Sequence, residues 1–324
     1  MARVLITGGA GFIGIPAAIH LKGEGLQVRI LDLVKPSIEG VEKLTGSILD
    51  INDVNQAVRG CDYCIHLAAM LGVRRTQIKR METLNINVQG TINILEACIK
   101  EKVKKIVFVS SSEVYGRQMV FPISEEALVN PLSTYAVSKL VGEEYVNAFH
   151  SNYGLRYSII RLFNVYGPRQ VAEFVVPRFI KAVMQNKPPL VYGQGEQIRS
   201  FCYVEDAVKG IVSALLNGGT DSQIFNIGNA TEPITIRELA SKIISITRKD
   251  VEPKFISLSQ ADRNEDKEID KRIPDISKAR KILGYKPEVS LQEGITKVME
   301  HGQIEETWFD PMEQEKAARE ELCK

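Results

Sequence analysis

Tyr135 and Lys139 lie four residues apart, so a helix would place both side chains on one face. A free tyrosine has a pKa of about 10 and is therefore a poor base at neutral pH. A nearby ammonium group favours the phenolate, so we expect Lys139 to lower the pKa of Tyr135. Tyr135 can then accept a hydroxyl proton while a hydride leaves the same carbon. This spacing also occurs by chance in amphipathic helices, so its interpretation depends on the surrounding sequence.

Hydroxyl and carboxyl side chains end an apolar run that is typical of a strand and begins at Ile106. They are Ser110, Ser111, Ser112 and Glu113. Ligands bind at the carboxyl ends of parallel strands, so a serine hydroxyl here can bond the reacting oxygen and share its proton with the tyrosine. Glu113 can take a proton from a neighbouring carbon. The structural alternatives are a polar turn and a carboxylate satisfied by backbone amides.

Three glycines follow the first predicted strand in the pattern G-x-x-G-x-x-G, at Gly8, Gly11 and Gly14. Gly8 permits a tight turn, Gly11 lets the backbone approach a pyrophosphate, and Gly14 allows close packing of helix and strand. The helix that opens at Phe12 and Ile13 supplies amide N–H groups and the positive end of its dipole. An ordinary glycine-rich turn is the alternative, but a strand before and a helix after the loop favour a dinucleotide site.

The second predicted strand ends in Asp32. A carboxylate at this position can bond both ribose hydroxyls of NAD and repels the 2′-phosphate of NADP. The residues that follow, Leu33 and Val34, offer no arginine for that phosphate. The sequence therefore favours NAD, with a plain loop aspartate as the alternative.

The elements that must position these residues alternate between strands and helices up to about residue 165. The predicted strands are Val4–Ile6, Val28–Leu31, Tyr63–His66, Ile106–Ser110 and Tyr157–Arg161, and the predicted helices include Ile13–Lys22, Thr91–Ile99, Ile236–Ile246, Ser277–Leu283 and Leu291–His301. This alternation predicts an α/β fold, with a Rossmann-type doubly wound parallel sheet in residues 1–165. Residues 166–304 are expected to form mainly a smaller α/β substrate-binding domain, with about 200–230 returning to the Rossmann domain, and 305–324 a C-terminal tail.

Composition narrows the class of protein. The 324 residues carry 41 basic and 40 acidic side chains, a balance that argues against a broad nucleic-acid-binding face. The five cysteines are scattered, which favours a reducing cytoplasm over a disulfide framework. The four histidines are far apart, so no metal site is expected. We see no signal peptide and no apolar run long enough to span a membrane, so we expect a cytoplasmic protein.

Taken together, these motifs resemble the extended short-chain dehydrogenase/reductase superfamily, and within it the NAD-dependent epimerase/dehydratase family of nucleotide sugars. The resemblance covers about residues 2–300 and includes the segments Leu67–Ala69 and Arg161–Arg169. It implies a nucleotide-sugar substrate, by default a UDP-sugar, and a homodimer built through the predicted Thr91–Ile99 helix and the helix of Tyr135 and Lys139.

The resemblance also implies roles for further residues. Those expected to bind NAD, besides the glycine loop and Asp32, are Asp50, Ile51, Leu67, Ala68, Ala69, Ser110, Tyr135 and Lys139. Ser111 matches the family's catalytic Ser/Thr, beside Glu113, Tyr135 and Lys139. Those expected to bind the sugar nucleotide are Ser112, Asn164, Val175, Arg178, Leu190, Tyr192, Arg199, Arg263 and Asp266.

The implied reaction starts with oxidation of the sugar C4 by NAD, which acidifies the proton at C5. Ser111-Ser112-Glu113 resembles the Thr-Ser-Glu of GDP-mannose dehydratases and UDP-glucuronate decarboxylases, so we predict C5-proton chemistry with Glu113 as base. The segments Ala69–Val73 and Ser133-Thr134 resemble 4-epimerases, so 4-epimerisation is the alternative. A dinucleotide sensor without catalysis and a dehydrogenase that releases NADH are the other classes; sensors usually lack the tyrosine or the lysine.

Overall fold

The computed structural model describes residues 1–257, 269–302 and 304. Its strands are β1 (Arg3–Thr7), β2 (Gln27–Asp32), β3 (Glu42–Thr45), β4 (Tyr63–His66), β5 (Lys105–Ser111), β6 (Arg156–Leu162), β7 (Val165–Tyr166), β8 (Leu190–Tyr192), β9 (Ile198–Ser200), β10 (Cys202–Tyr203), β11 (Gln223–Ile227), β12 (Pro233–Thr235), β13 (Lys254–Ile256) and β14 (Lys271–Arg272). Its helices are α1 (Gly14–Gly23), α2 (Ile51–Val58), α3 (Val73–Ile78), α4 (Arg80–Leu84), α5 (Gly90–Lys100), α6 (Thr134–Tyr153), α7 (Val175–Met184), α8 (Val204–Leu216), α9 (Ile236–Thr247), α10 (Ser277–Leu283) and α11 (Leu291–His301). A π-helical turn at Asn85–Gln89 precedes α5, and a 3-10 turn at Ser112–Tyr115 follows β5.

A parallel sheet in the order β11-β6-β5-β4-β1-β2-β3 forms the centre of the molecule. Its strands are apolar on both faces because helices cover both. Val4 and Ile6 of β1 pack into one cluster with α1 and α8, whereas Leu5 packs into another with α2, α5 and α6. This arrangement confirms the predicted doubly wound Rossmann-type sheet.

The carboxyl ends of these strands meet at one edge of the sheet. Thr7, Asp32, His66 and Ser111 are the last residues of β1, β2, β4 and β5. Each is followed by a loop that starts at that edge, where ligands bind in open α/β sheets.

Residues after β6 divide between the central sheet and a smaller set of elements. β11 pairs with β6 at the end of the sheet, and α8 packs against α1. The three-stranded sheet β12-β9-β14, the pair β13-β8 and the helices α7, α9 and α11 pack together beside it. The predicted tail at 305–324 lies outside the described residues. No helix in the described part of the chain is long and apolar enough to span a membrane.

Candidate active site

The glycine loop joins β1 to α1 with almost no space for side chains. Gly8 has φ +69°, and a Cβ added there would lie 2.8 Å from the backbone nitrogen of Ala68. A Cβ at Gly14 would lie 2.5 Å from the carbonyl oxygen of Gly8, and one at the exposed Gly11 would lie 3.2 Å from it. No side chain caps the N-terminus of α1, which Ile13 precedes. The first turn of α1 therefore offers backbone N–H groups to an anion, which fits a pyrophosphate.

Phe12, in the same loop, packs against the segment that follows β7. A Cβ added at Gly167 would lie 3.2 Å from its ring. The Phe12 side chain therefore connects the glycine loop with the segment that follows β7.

Asp32 lies beside the glycine loop at the end of β2. Its carboxylate accepts hydrogen bonds from the backbone N–H groups of Ala10 at 2.9 Å and Val34 at 3.2 Å. Burial raises the pKa of Asp32, and these hydrogen bonds oppose the rise. Asp50 and Ile51 follow β3, where Asp50 caps α2 by accepting from the N–H of Asn52 at 2.8 Å. The Asp50 carboxylate thus has a structural role of its own.

The loop after β4 faces the glycine loop. Leu67, Ala68 and Ala69 are half-buried, and the N–H of Leu67 donates to the carbonyl oxygen of Thr7 at 3.1 Å. Ala68 lies directly against Gly8. The glycine loop, Asp32 and this loop are thus brought together at the edge of the sheet, in an arrangement that fits a dinucleotide.

Helix α6 carries Tyr135 and Lys139 to the same edge. Ser133 caps the helix by accepting from the N–H of Ala136 at 3.0 Å. Lys139 Nζ donates to the carbonyl oxygen of Val109 at 2.8 Å and lies 6.0 Å from the centre of the Tyr135 ring. Burial lowers the pKa of Lys139 to about 8.

The pKa of Tyr135 is raised, not lowered. Burial is the main cause and the carboxylate of Glu113 the second, while a hydrogen bond with Ser111 opposes both. The prediction of a lowered pKa for Tyr135 is therefore wrong in this structure, because desolvation of the phenolate and the Glu113 carboxylate both raise it.

Ser111 and Glu113 lie next to Tyr135. The Ser111 hydroxyl accepts from the N–H of Glu113 at 3.2 Å, and the Ser133 hydroxyl donates to Glu113 Oε2 at 3.1 Å. A hydroxyl, a phenol and a carboxylate thus converge in one place, which is the set of groups needed for two successive proton transfers.

The two other serines of this run are not equivalent to Ser111. Ser112 is buried in the 3-10 turn. The Ser110 hydroxyl donates to Glu143 at 2.5 Å, and Glu143 forms a buried ion pair with Arg161 at 2.6 Å. The hydroxyl hydrogen of Ser110 is therefore engaged within the chain, and its backbone and hydroxyl oxygen are left for the predicted contact with the cofactor.

Apart from Ser112, the described residues that are predicted to bind the sugar nucleotide lie on segments that follow β6. Asn164, with φ +39°, follows β6 and donates to the carbonyl oxygen of Ser200 at 3.2 Å. Arg178 of α7 donates to the hydroxyl of Tyr192 in β8 at 2.8 Å. Val175 and Leu190 are the first residues of α7 and β8. Arg263 and Asp266 lie outside the described residues.

Arg272 is a neighbour of Arg199 that sequence reasoning missed as a site residue. β14 and β9 run parallel with these two residues in register. The Arg272 Nε is buried and has no hydrogen-bond partner among the described residues. In-register residues of neighbouring strands project from the same face of a sheet, and arginine side chains placed in this way suit a doubly charged anion such as a diphosphate. The sequence does not show this pairing because it depends on strand register.

Comparison with known proteins identifies the family of this chain. Residues 4–228 match the model of the NAD dependent epimerase/dehydratase family. The chain belongs to this family. A UDP-N-acetyl-alpha-D-glucosaminuronate decarboxylase from Bacillus cytotoxicus is 36% identical, with 96% of this chain and 98% of the relative covered.

Two solved structures extend the comparison to other reactions of the family. A UDP-glucuronic acid 4-epimerase from Bacillus cereus, in complex with UDP-glucuronic acid and NAD, has a TM-score of 0.84 at 31% identity, over 92% of this chain and 98% of that one. A dTDP-glucose 4,6-dehydratase from Streptomyces venezuelae, with NAD bound, has a TM-score of 0.84 at 28% identity, over 92% and 96%. NAD is the cofactor of this family member, and the residues around the glycine loop and Asp32 fit it.

Proposed function

We propose that this enzyme oxidises C4 of a UDP-linked hexose or hexuronate and then carries out chemistry at C5. The observation that supports this most directly is the convergence of Ser111, Glu113 and Tyr135 beside a dinucleotide site. The UDP moiety is supported by the named relatives and by the paired Arg199 and Arg272. The proposed homodimer rests on the family resemblance and would be built through α5 and α6.

The first step needs a base for the C4 hydroxyl. Bound NAD supplies the acceptor for the C4 hydride, together with a positive charge. Ser111, bonded to Tyr135, would hold the sugar oxygen and relay its proton to Tyr135. Tyr135 must be a phenolate to accept this proton, and the added positive charge of the bound cofactor would favour that form against the effect of burial. The Lys139 ammonium would orient the ribose next to this tyrosine.

The second step needs a group that the first does not. Once C4 is a ketone, the C5 proton is acidic, and the Glu113 carboxylate lies close enough to Tyr135 to influence its pKa. Removal of that proton with departure of the C6 hydroxyl as water would leave a C5–C6 double bond. Return of the C4 hydride to C6 and of a proton to C5 would then give a 4-keto-6-deoxy sugar. With a hexuronate, the C6 carboxylate would leave as carbon dioxide and C5 would be protonated.

A 4-epimerase is the second candidate, because Glu113 also has structural partners. Its backbone and carboxylate contact Ser111 and Ser133, which would suffice for a carboxylate that only shapes the site. In that case the hydride would return to the opposite face of C4. Mass spectrometry of products from UDP-glucose, UDP-glucuronate and UDP-N-acetylglucosaminuronate separates the outcomes. Water is lost on dehydration, carbon dioxide on decarboxylation, and neither on epimerisation.

Replacing Glu113 by Gln tests the proposed C5 chemistry. Removing the base should lower turnover to the C5-modified product by about 10²- to 10³-fold. Oxidation of C4 should persist, so the reduced cofactor should accumulate as NADH absorbance in a single-turnover experiment. Glu126→Gln, which alters an exposed carboxylate on the neighbouring loop, is the control and should match the wild type. Unchanged turnover in E113Q would exclude Glu113 as the base, and a 4-epimer as the product of the wild type would make 4-epimerisation the function.

A further inference from the structure

A chain of hydrogen bonds runs beneath the cofactor site from β1 to α5. The N–H of Ala68 donates to Thr7 Oγ1 at 3.2 Å, and Thr7 Oγ1 lies 2.6 Å from Nδ1 of His66. Across the imidazole ring, Nε2 lies 3.1 Å from Thr91 Oγ1, which donates to the carbonyl oxygen of Asn87 at 2.6 Å. His66 is 1% exposed, and none of the proposed chemical steps uses it.

The bonding pattern determines which imidazole nitrogen carries the hydrogen. The Thr91 hydroxyl hydrogen is donated to a carbonyl, so Thr91 Oγ1 accepts from His66 and Nε2 is the protonated nitrogen. Burial lowers the pKa of His66 to about 3, so the ring is neutral and Nδ1 accepts from the Thr7 hydroxyl. The hydrogen bonds from Ala68 to Thr7, from Thr7 to His66 and from His66 to Thr91 can therefore all form at once, with each hydroxyl donating in one direction.

Asn87 holds the far end of the same loop. Its Oδ1 accepts from the N–H of Met70 at 2.7 Å, and its Nδ2 donates to the carbonyl oxygen of Met70 at 3.0 Å. Nδ2 also donates to the hydroxyl of Ser138 at 2.9 Å, which in turn donates to the carbonyl oxygen of Tyr135 at 2.7 Å. The loop is thus held at both ends by one short segment, which also contacts the catalytic helix.

Displacement of this loop would reach the glycine loop directly. A Cβ added at Gly8 would lie 2.8 Å from the nitrogen and 2.9 Å from the Cα of Ala68, so the two backbones are already in contact. Because packed backbones transmit small shifts, the position of Ala68 sets the position of Gly8.

We propose that His66 is a positioning residue for NAD. By bonding Thr7 and Thr91 at once, its neutral ring fixes Leu67–Ala69 against the glycine loop and thereby sets how tightly the chain retains the dinucleotide. The inference rests on the cofactor role proposed for Leu67–Ala69 and is independent of the reaction step that comes after C4 oxidation.

Two amide variants test the hydrogen bond of His66 Nδ1 with Thr7 and that of Nε2 with Thr91 separately. In His66→Asn the amide lies near the position of Nδ1 and can still accept from Thr7. In His66→Gln the amide lies near Nε2 and can still donate to Thr91, but the acceptor for Thr7 is lost. Calorimetric titration of NAD into protein stripped of cofactor should show about tenfold weaker binding in H66Q and less than about threefold in H66N, since an unsatisfied buried hydroxyl is strongly unfavourable.

The same measurement on Thr7→Val, which removes the hydroxyl with little change of shape, should also show about tenfold weaker binding. The double variant T7V/H66Q should bind NAD no more weakly than either single variant, because both changes break the same hydrogen bond, the one between Thr7 and His66. Ser158→Ala removes another buried hydroxyl, one that donates to the carbonyl oxygen of Thr220 at 2.7 Å, and should lower the melting temperature without changing NAD affinity.

NAD affinity within threefold of the wild type in both H66Q and T7V would overturn the proposal, whatever their melting temperatures. Equal losses in H66N and H66Q would overturn it as well. If H66Q does not fold, T7V alone decides. Because no sugar nucleotide is present in these titrations, their outcome is separate from the test of Glu113.

Discussion

The two edges of the central sheet handle buried charge in different ways. At the amino edge, the buried ammonium of Lys105 at the start of β5 contacts the hydroxyl of Thr220 and lies 3.0 Å from Asp221. The carboxylate of Asp62, just before β4, lies 2.7 Å from the ammonium of Lys104. Each charge here has an opposite charge within the chain.

At the carboxyl edge the Arg161–Glu143 ion pair is also buried, but three ionisable groups that are expected to meet cofactor or substrate are buried beside carbonyls, amides and hydroxyls. Lys139 donates to a backbone carbonyl, Asp32 accepts from backbone amides, and Tyr135 has a hydrogen bond with Ser111. Burial is the largest cause of the pKa shift of each of the three groups. We infer that the amino edge is complete as folded, whereas the carboxyl edge is arranged for charges that a cofactor and substrate supply.

The strongest test of this difference between the edges removes one tyrosine hydroxyl from each. Tyr135→Phe should lower turnover of the sugar nucleotide by about 10³-fold, because the acceptor for the C4 hydroxyl proton is lost, and should leave NAD bound. Tyr157, the second residue of β6, donates to Asn147 at 2.5 Å near the amino edge. Tyr157→Phe should keep turnover within about twofold and lose about 1 kcal/mol of stability. Full turnover in Y135F, measured beside Y157F, would disprove the role of the phenol.

Replacing one carboxylate at each edge should have a smaller effect, which is on NAD binding. Asp32→Asn should weaken NAD binding by about tenfold, because a carboxylate accepts from ribose hydroxyls more strongly than an amide does. Asp62→Asn removes a charge from the amino edge and should leave the NAD dissociation constant unchanged. Titration of NAD into both variants checks this, and an equal loss in the two would show that the effect is general destabilisation.

The fold was predictable where its signals are local. The buried strands of the sheet and α10 and α11 agree with the predicted spans to within one or two residues, because their apolar periods are strong. β3 was missed because Glu42–Thr45 is polar and pairs with β2 alone. β11 was not among the predicted strands, although about 200–230 was expected to return to the Rossmann domain, because its place in the sheet depends on pairing with β6, across more than sixty residues of sequence.

The features of the site could likewise be predicted where the signal is local and not where they depend on the fold. The glycine loop could be predicted from the sequence because it needs positions without a Cβ, and glycine is the residue type that lacks one. The effect of Lys139 on Tyr135 was misjudged because sequence spacing does not show how deeply a phenol is buried. The adjacency of Arg199 and Arg272 follows from strand register, and the engagement of Ser110 with Glu143 follows from which face of β5 it occupies.

The two buried lysines provide the last and smallest test, through the pH dependence of stability. The pKa of Lys139 is about 8 in the folded protein, below its ordinary value of 10.5, mainly because of burial. Between these values the unfolded chain binds more protons than the folded one, so wild-type stability should rise with pH, by up to about 1.4 kcal/mol per pH unit. Below pH 8 the full penalty for the buried ammonium is present.

Lys139→Met abolishes this titration, so the stability of the NAD-free wild type relative to K139M should increase as the pH rises from about 8 towards 10.5. Denaturant unfolding at several pH values measures the difference. Lys105→Met is the matched variant from the amino edge. Burial lowers the pKa of Lys105 as well, but Asp221 opposes the shift, so the stability of the wild type relative to K105M should change less with pH than the stability relative to K139M. A flat difference between wild type and K139M across this window would mean that the charge of Lys139 is compensated within the chain, and the contrast between the two edges would then not hold for the catalytic lysine.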